Sequence, residues 1–174
     1  MHALIPYSLG GALDLYYFPN GLPGTAIATK ELSTLPYEGS VNDVFRSYEL
    51  VMFTKHAVDL DAAKDLSTPF GLIHEFINSA LNVIAPYSAT ARLNPNHTCE
   101  VPSEVDDGLG GCCIFDAYAC HNDDLAWDFG LLAVIRVFPS EMEFARKKKG
   151  VKLLERLKAK GFYPYSDLDR EPVA

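Results

Sequence analysis

The chain has 174 residues, 48% of them apolar and 22% charged, with a formal net charge of −8. That is long enough to bury one core without cross-links, in the balance of a folded rather than a disordered protein. The acidic surplus argues against nucleic acid as a partner, because phosphates call for a basic footprint, and no apolar run reaches the roughly 18–20 residues that a membrane span needs.

Residues 1–19 are apolar but carry no basic leader and are broken by Pro6, Gly10, Gly11 and Asp14, so a signal peptide is not expected. Residues 13–18 alternate strand-formers, and residues 25–32 do so again after the turn-rich Pro19-Asn20-Gly21-Leu22-Pro23-Gly24. The spacing predicts a strand pair here and a third strand over 47–54, "SYELVMFT". Over 69–85, "PFGLIHEFINSALNVIA", the period changes. Leu72, Phe76, Ile77, Ala80, Leu81 and Ile84 recur at three- and four-residue steps, as on a helix with a broad apolar face. Thr68 before Pro69 supplies a cap, and Pro86 is expected to close the helix.

A strand-like stretch follows over 90–101, then a Gly/Asp loop over 102–111. Residues 110–124, "GGCCIFDAYACHNDD", hold three of the four cysteines. Residues 129–138, "FGLLAVIRVF", form an apolar run between Asp128 and Pro139, the pattern of a central strand covered on both faces. Ser140 and Glu143 stand at capping-box spacing, Lys147 to Lys149 suit a helix C-terminus, and Gly150 suits a stop. A second helix over 151–160 would bury Leu153, Leu154 and Leu157, with a short strand over 162–166 after it. The expected architecture is a single α+β domain spanning 1–174: a mostly antiparallel or mixed sheet, a middle helix and a C-terminal helix pair.

Candidate chemistry is thin. Along one strand Cys112 and Cys113 point to opposite faces, and Cys112 and Cys120 lie roughly 26 Å apart at about 3.3 Å per residue. Zinc holds its ligands at about 2.0–2.3 Å, so those two cannot share an ion. A metal- or thiol-dependent enzyme built on Cys99, Cys112, Cys113, Cys120, His97 and His121 remains the alternative to a non-enzymatic chain. His74-Glu75-Phe76-Ile77-Asn78 misses the second histidine of a zinc-protease helix. The acidic clusters Glu104, Asp106, Asp107 and Asp123, Asp124 read as solvated turns. No cofactor fingerprint occurs, so no cofactor is expected. Four cysteines without CxxC spacing suit reduced thiols, hence a cytoplasmic location.

The C-terminal third, "FGLLAVIRVFPSEMEFARKKKGVKLLERLKAKGFYPYSDLDREPV", resembles the suppressor of fused family. Its matching positions are Phe129-Gly130, Ser140-Glu141, Gly150, Leu153, Leu154 and Leu157, and Asp167-Leu168-Asp169-Arg170. Upstream, "LDLYYF" and "GTAIATKELS" with Thr29 and Ser33, and "RSYELVMFT" with Glu49-Leu50, are similar to that family's successive strands. Where the family commonly has Gly-Asp-His before a strand, this chain has Pro95-Asn96-His97. The acid is missing, so the partner contacts of animal members do not transfer. The resemblance implies a domain that acts by binding another protein. Animal members sequester transcription factors; bacterial members are commonly stand-alone domains, many of them regarded as immunity proteins that neutralise a cognate toxin. An acidic chain suits a basic toxin domain through electrostatic steering. Asp116 and Tyr118 in the cysteine strand, with Asn96 and His97, are the candidate protein-binding residues, and Tyr7, Tyr16, Tyr37 and Tyr87 are further aromatic candidates.

Overall fold

The computed structural model describes residues 3–5, 13–19, 22–30, 32–33, 40–102, 110–120 and 129–174. Its strands are β1 (Ala3–Ile5), β2 (Leu15–Pro19), β3 (Thr25–Ala28), β4 (Tyr48–Thr54), β5 (Thr98–Val101), β6 (Gly111–Cys120) and β7 (Gly130–Val137). Its helices are α1 (Pro69–Ser88), α2 (Pro139–Lys148) and α3 (Gly150–Ala159). The strands form one sheet in the order β1-β2-β3-β4-β7-β6-β5. Every pairing is antiparallel except β4 with β7, which run parallel with Tyr48 opposite Gly130 and Val51 opposite Ala133. The expected α+β architecture is the observed one. The strand β1 carries no signal of its own, since three residues are too few to show an alternation.

The alternation of side chains splits the sheet into two apolar faces. One holds Tyr17, Ile27, Leu50, Met52, Cys113, Phe115, Leu132 and Val134 against α1; the other holds Val51, Phe53, Cys112, Ile114, Ala133, Ile135 and Val137 toward α2 and α3. The run read as a central strand is β7, with Ile135 fully buried between β4 and β6. Gly130 opens it because Phe45 lies on its backbone, where a Cβ would come within 2.2 Å of the ring.

Helix α1 begins as its sequence predicts, with the Thr68 hydroxyl accepting from the Gly71 amide at 2.9 Å and Pro69 in the first turn. It buries Ile73, Phe76, Ile77, Leu81 and Ile84, each worth about 1.5–3 kcal/mol of apolar burial. Leu72, expected on that face, is 48% exposed instead. Nor does Pro86 end the helix. Its missing N–H forfeits one helical bond, and the burial of Ile84, Ala85 and Ser88 beside it offsets that cost. The Ser88 hydroxyl donates to the Ala85 carbonyl at 2.6 Å and is hydrogen-bonded to Ser40, which ties down the last turn.

At the C-terminal pair the helix start differs from the expected one. Phe138 is the cap residue and Pro139 the first helical residue, so Glu141, not Glu143, reaches back to accept from the Phe138 amide at 2.9 Å. Ser140 donates to the Ala174 carbonyl. The break between α2 and α3 falls at Lys149, which has a positive φ of 73°, while Gly150 begins α3. Gly150 is required there by a close approach, because a Cβ would stand 2.2 Å from the Asn96 carbonyl oxygen. Of residues 90–101 only 98–101 are strand; Pro95 and Asn96, with its φ of 70°, hold the rest in turns. Residues 162–166 make a single bridge, Tyr165 to Phe53, in place of a strand. The tail beyond is fastened by buried Asp167, which accepts from Thr54 Oγ1 at 2.8 Å and the Lys55 amide at 3.0 Å. Arg170 adds a bidentate pair with Glu141 at 2.6 and 2.8 Å. Among the described residues, no helix is long and apolar enough to cross a membrane.

Candidate interaction surface

Helices α2 and α3 cover the β5-β6-β7 side of their face. Over β2, β3 and β4 the same face carries no helix among the described residues, and a groove of ≈ 540 Å³ lies there. Its floor is Ala26, Ala28, Val51 and Phe53, and its rim includes Tyr16, Phe18, Tyr118 and Phe129. The small side chains of Ala26 and Ala28 make the depression, and Phe18, 39% exposed, stands at its edge. Lys30 lies over the Tyr16 ring at 5.1 Å, the one cation among the described residues that line the groove.

The polar end of the groove is built by the residues that carried the family resemblance. Glu49 faces the groove from β4, 5% exposed. Its carboxylate accepts from Thr29 Oγ1 at 2.6 Å, Ser33 Oγ at 2.6 Å, the Ser33 amide at 2.9 Å and the Leu32 amide at 3.3 Å. The Thr29 hydroxyl in turn accepts from the Leu50 amide at 2.9 Å. A carboxylate accepting four bonds has its lone pairs filled and needs no counter-ion. Glu49 therefore pins the chain that leaves β3 onto β4 and shapes one wall of the groove.

The four candidate protein-binding residues fall in two places. Asp116 and Tyr118 share the α3 side of β6. Asp116 is only 13% exposed at its side chain and pairs with Lys158 of α3 at 2.9 Å. Burial pushes the neighbouring Tyr163 phenol up, and the Asp116 charge and hydrogen bond add to that. Asp116 therefore clasps α3 to the sheet. Tyr118 packs at a tilt against Phe53 with ring centroids 4.6 Å apart, reaches the groove, and has its phenol pKa raised mainly by burial. Asn96 and His97 sit in a separate cleft with Arg146, Lys149 and Val151. They continue the β5–β6 ladder, Asn96 N–H donating to the Phe115 carbonyl at 2.6 Å and Phe115 N–H to the His97 carbonyl at 3.0 Å. Tyr16 joins Tyr118 at the groove, and Tyr87 is 57% exposed elsewhere; Tyr7 and Tyr37 lie outside the described residues. The groove's alanines went unnoticed in the sequence, although "TAIA" with two alanines on one strand face marks a surface with no bulk to fill it.

The cysteine strand separates as geometry requires. Cys112 lies on the α2 face and Cys113 on the α1 face, directly opposite Cys99 of β5. The Cys120 side chain, His121 and both acidic turn clusters lie outside the described residues. Among the described residues no three His, Cys, Asp or Glu side chains are grouped as metal ligands would be. His74, of the broken zinc-helix motif, is a core residue: its Nδ1 lies 2.9 Å from the Ala63 carbonyl and its Nε2 2.5 Å from the Tyr17 hydroxyl. With Nδ1 donating and Nε2 accepting, both partners are satisfied by the neutral ring, and burial holds the imidazole pKa below its ordinary value.

No protein-family profile and no curated sequence matches the chain. Among solved structures it is similar to a chain in the Sufu–Fu complex crystal structure, with a TM-score of 0.53 at 14% identity over 99% of this chain and 84% of that one. The fold is Sufu-like. At that identity the likeness concerns the fold alone, and it agrees with the element order that the sequence resemblance implied. Within this Sufu-like fold, the matching residues are joints: Gly130 under Phe45, Glu49 on Thr29 and Ser33, Gly150 on Asn96, Asp167 on Thr54 and Arg170 on Glu141.

Proposed function

We propose that the chain is a non-enzymatic protein-binding module whose docking surface is the groove over β2, β3 and β4, and that its partner is a basic toxin domain. The apolar, aromatic-rimmed groove carries this reading. A depression floored by alanines and edged by Tyr16, Phe18, Tyr118 and Phe129 suits an inserted apolar anchor, with rigid aromatic area around it. The net charge of −8 supports a basic partner, since opposite charge raises the rate of encounter. The Sufu-like fold, found in a complex of two proteins, is consistent with binding rather than catalysis. Among the four candidate residues, Tyr118 lines this groove, Asp116 pairs with Lys158 of α3 outside it, and Asn96 and His97 lie in a second cleft.

The test pairs the chain with any basic toxin domain found encoded beside its gene, by titration calorimetry and by rescue of cells expressing the toxin. Phe18→Asp alters an exposed rim residue and should weaken binding at least about tenfold, near 1.4 kcal/mol, with an unchanged thermal melt. Lys30→Glu should strengthen binding to a basic partner, and binding unchanged by both Phe18→Asp and Lys30→Glu would remove the groove from the interface. Binding to none of the basic domains would overturn the toxin assignment.

A further inference from the structure

Two thiols lie outside that surface and have no part in it. Cys99 and Cys113 are cross-strand partners in the antiparallel pair β5–β6, one Cα directly opposite the other. Both face α1: Cys113 is fully buried in the core, and Cys99 packs half-buried against the same cluster. Directly opposed residues of antiparallel strands have Cα atoms about 4.5–5.5 Å apart, inside the range of about 4.4–6.8 Å that a disulfide spans. The register therefore brings the two Cα atoms within disulfide range. Cys112, the neighbour of Cys113, faces away through the sheet and does not compete.

We propose that Cys99 and Cys113 form a peroxide-oxidisable pair, Cys99 as the attacking thiolate and Cys113 as the resolving thiol, which closes a disulfide between β5 and β6. The geometry divides the roles. Cys99 lines a pocket of ≈ 410 Å³ with Val83, Ile84, Tyr87, Leu93, Glu100 and Phe115, through which a small hydroperoxide reaches it. Cys113, at zero exposure, meets no reagent directly. The two thiols are hydrogen-bonded to each other, and this bond, with a smaller contribution from the Arg146 charge, lowers the Cys99 pKa. The same bond and burial raise that of Cys113 well above the ordinary thiol value. Of the two thiols Cys99 is therefore the more readily ionised, and it is also the one that lines a pocket.

In the first step the Cys99 thiolate attacks a peroxide oxygen. The O–O bond breaks, the alkoxide or hydroxide leaves, and Cys99 becomes a sulfenic acid. In the second, the Cys113 sulfur displaces the sulfenic oxygen, which departs as water with the Cys113 proton. Two thiols are oxidised to one disulfide and one hydroperoxide is reduced. The product bolts the edge strand β5 to β6 and so fixes the turn carrying Asn96 and His97.

Treating the native full-length protein with hydrogen peroxide tests this by intact mass and non-reducing peptide mapping. The expected product has lost two hydrogens, contains a Cys99–Cys113 linked peptide, and returns to the starting mass with dithiothreitol. Cys99→Ser should abolish the linkage, and Cys113→Ala should stop at a sulfenic acid that dimedone traps on Cys99. If Cys113→Ala does not fold, the wild-type map alone decides. A disulfide joining Cys112 or Cys120, or Cys99 gaining two oxygens with Cys113 still free, would overturn the assignment.

Discussion

The pair Glu141–Arg170 is the joint on which the C-terminal tail depends, and removing its charge should be costly. Glu141 is fully buried and Arg170 is 3% exposed at its side chain. Oε1 accepts from Arg170 Nη1 and the Val173 amide, and Oε2 from Arg170 Nη2 and the Phe138 amide. In Glu141→Gln either orientation of the amide turns an NH₂ group toward two of those donors, so two of four bonds fail and the guanidinium is left buried without a counter-charge. Breaking a buried pair from one side costs about 3–5 kcal/mol, against a total stability of about 5–15 kcal/mol for a domain. In a chain of this length that corresponds to a fall in Tm of roughly 6–20 °C. Urea unfolding followed by far-UV circular dichroism should show a lower midpoint at an unchanged m-value. The double variant Glu141→Gln with Arg170→Met should be less destabilised than the two single effects summed, because no charge is then stranded. Burial alone would raise the Glu141 pKa, but the bonds from Arg170, Val173 and Phe138 outweigh it and hold the carboxyl below its ordinary value. The pair's stabilisation is therefore present above the ordinary glutamate pKa and lost as pH falls through the lower folded-state value. A Glu141→Gln protein within about 1 kcal/mol of wild type would show that the tail is held by its apolar contacts instead.

Two other outcomes follow from the core. Ile135→Asp places an unpaired carboxylate at the centre of the sheet and should abolish soluble expression; a soluble, cooperatively melting variant would contradict the position of β7 between β4 and β6. His74 has a depressed pKa in the folded state, so the unfolded chain binds more protons and stability falls as pH drops from the ordinary histidine pKa, about 6.5, through the lower folded value. His74→Leu should flatten that part of the pH–stability curve even if it lowers the curve as a whole, and an unchanged slope would show that His74 is not the group responsible.

Elements with many residues in one period were legible in the sequence. Helix α1 and strand β7 each declare themselves through eight or more residues whose burial obeys a single rule, and Thr68 and Pro69 fix the start of α1. Boundaries set by a competing contact were not. Pro86 is tolerated because buried neighbours hold the last turn, and Ser140 loses the cap to Phe138 because proline fits the first helical position. Gly150 looks like a helix stop, yet its reason is the Asn96 carbonyl, a contact across more than fifty residues that no local pattern encodes. The same holds for the site. Asp116 reads in the sequence as a candidate protein-binding residue, and its partner is Lys158, which the packing of α3 brings near. The groove was hidden because it is defined by what Ala26 and Ala28 leave empty. Cys99 opposite Cys113 depended on the β5–β6 register, which cannot be read from either strand alone.

The parallel meeting of β4 and β7 gives the sheet a seam. On one side, β1 to β4 follow one another in the chain; on the other, β5, β6 and β7 do, and each set can pair through short closures. Among the described residues the strand pairing that joins them is Tyr48 to Val51 against Gly130 to Ala133, and that pairing requires α1 and the whole β5–β6 hairpin to be enclosed between the two strands. Loop entropy charges most for this contact and least for those on either side. The pairing that costs most to close is thus four residue pairs at the sheet's midline, and the groove, lined by Val51 and Leu131 of those two strands, lies along that line. Occupation of the groove bears on the junction that makes the two halves one protein.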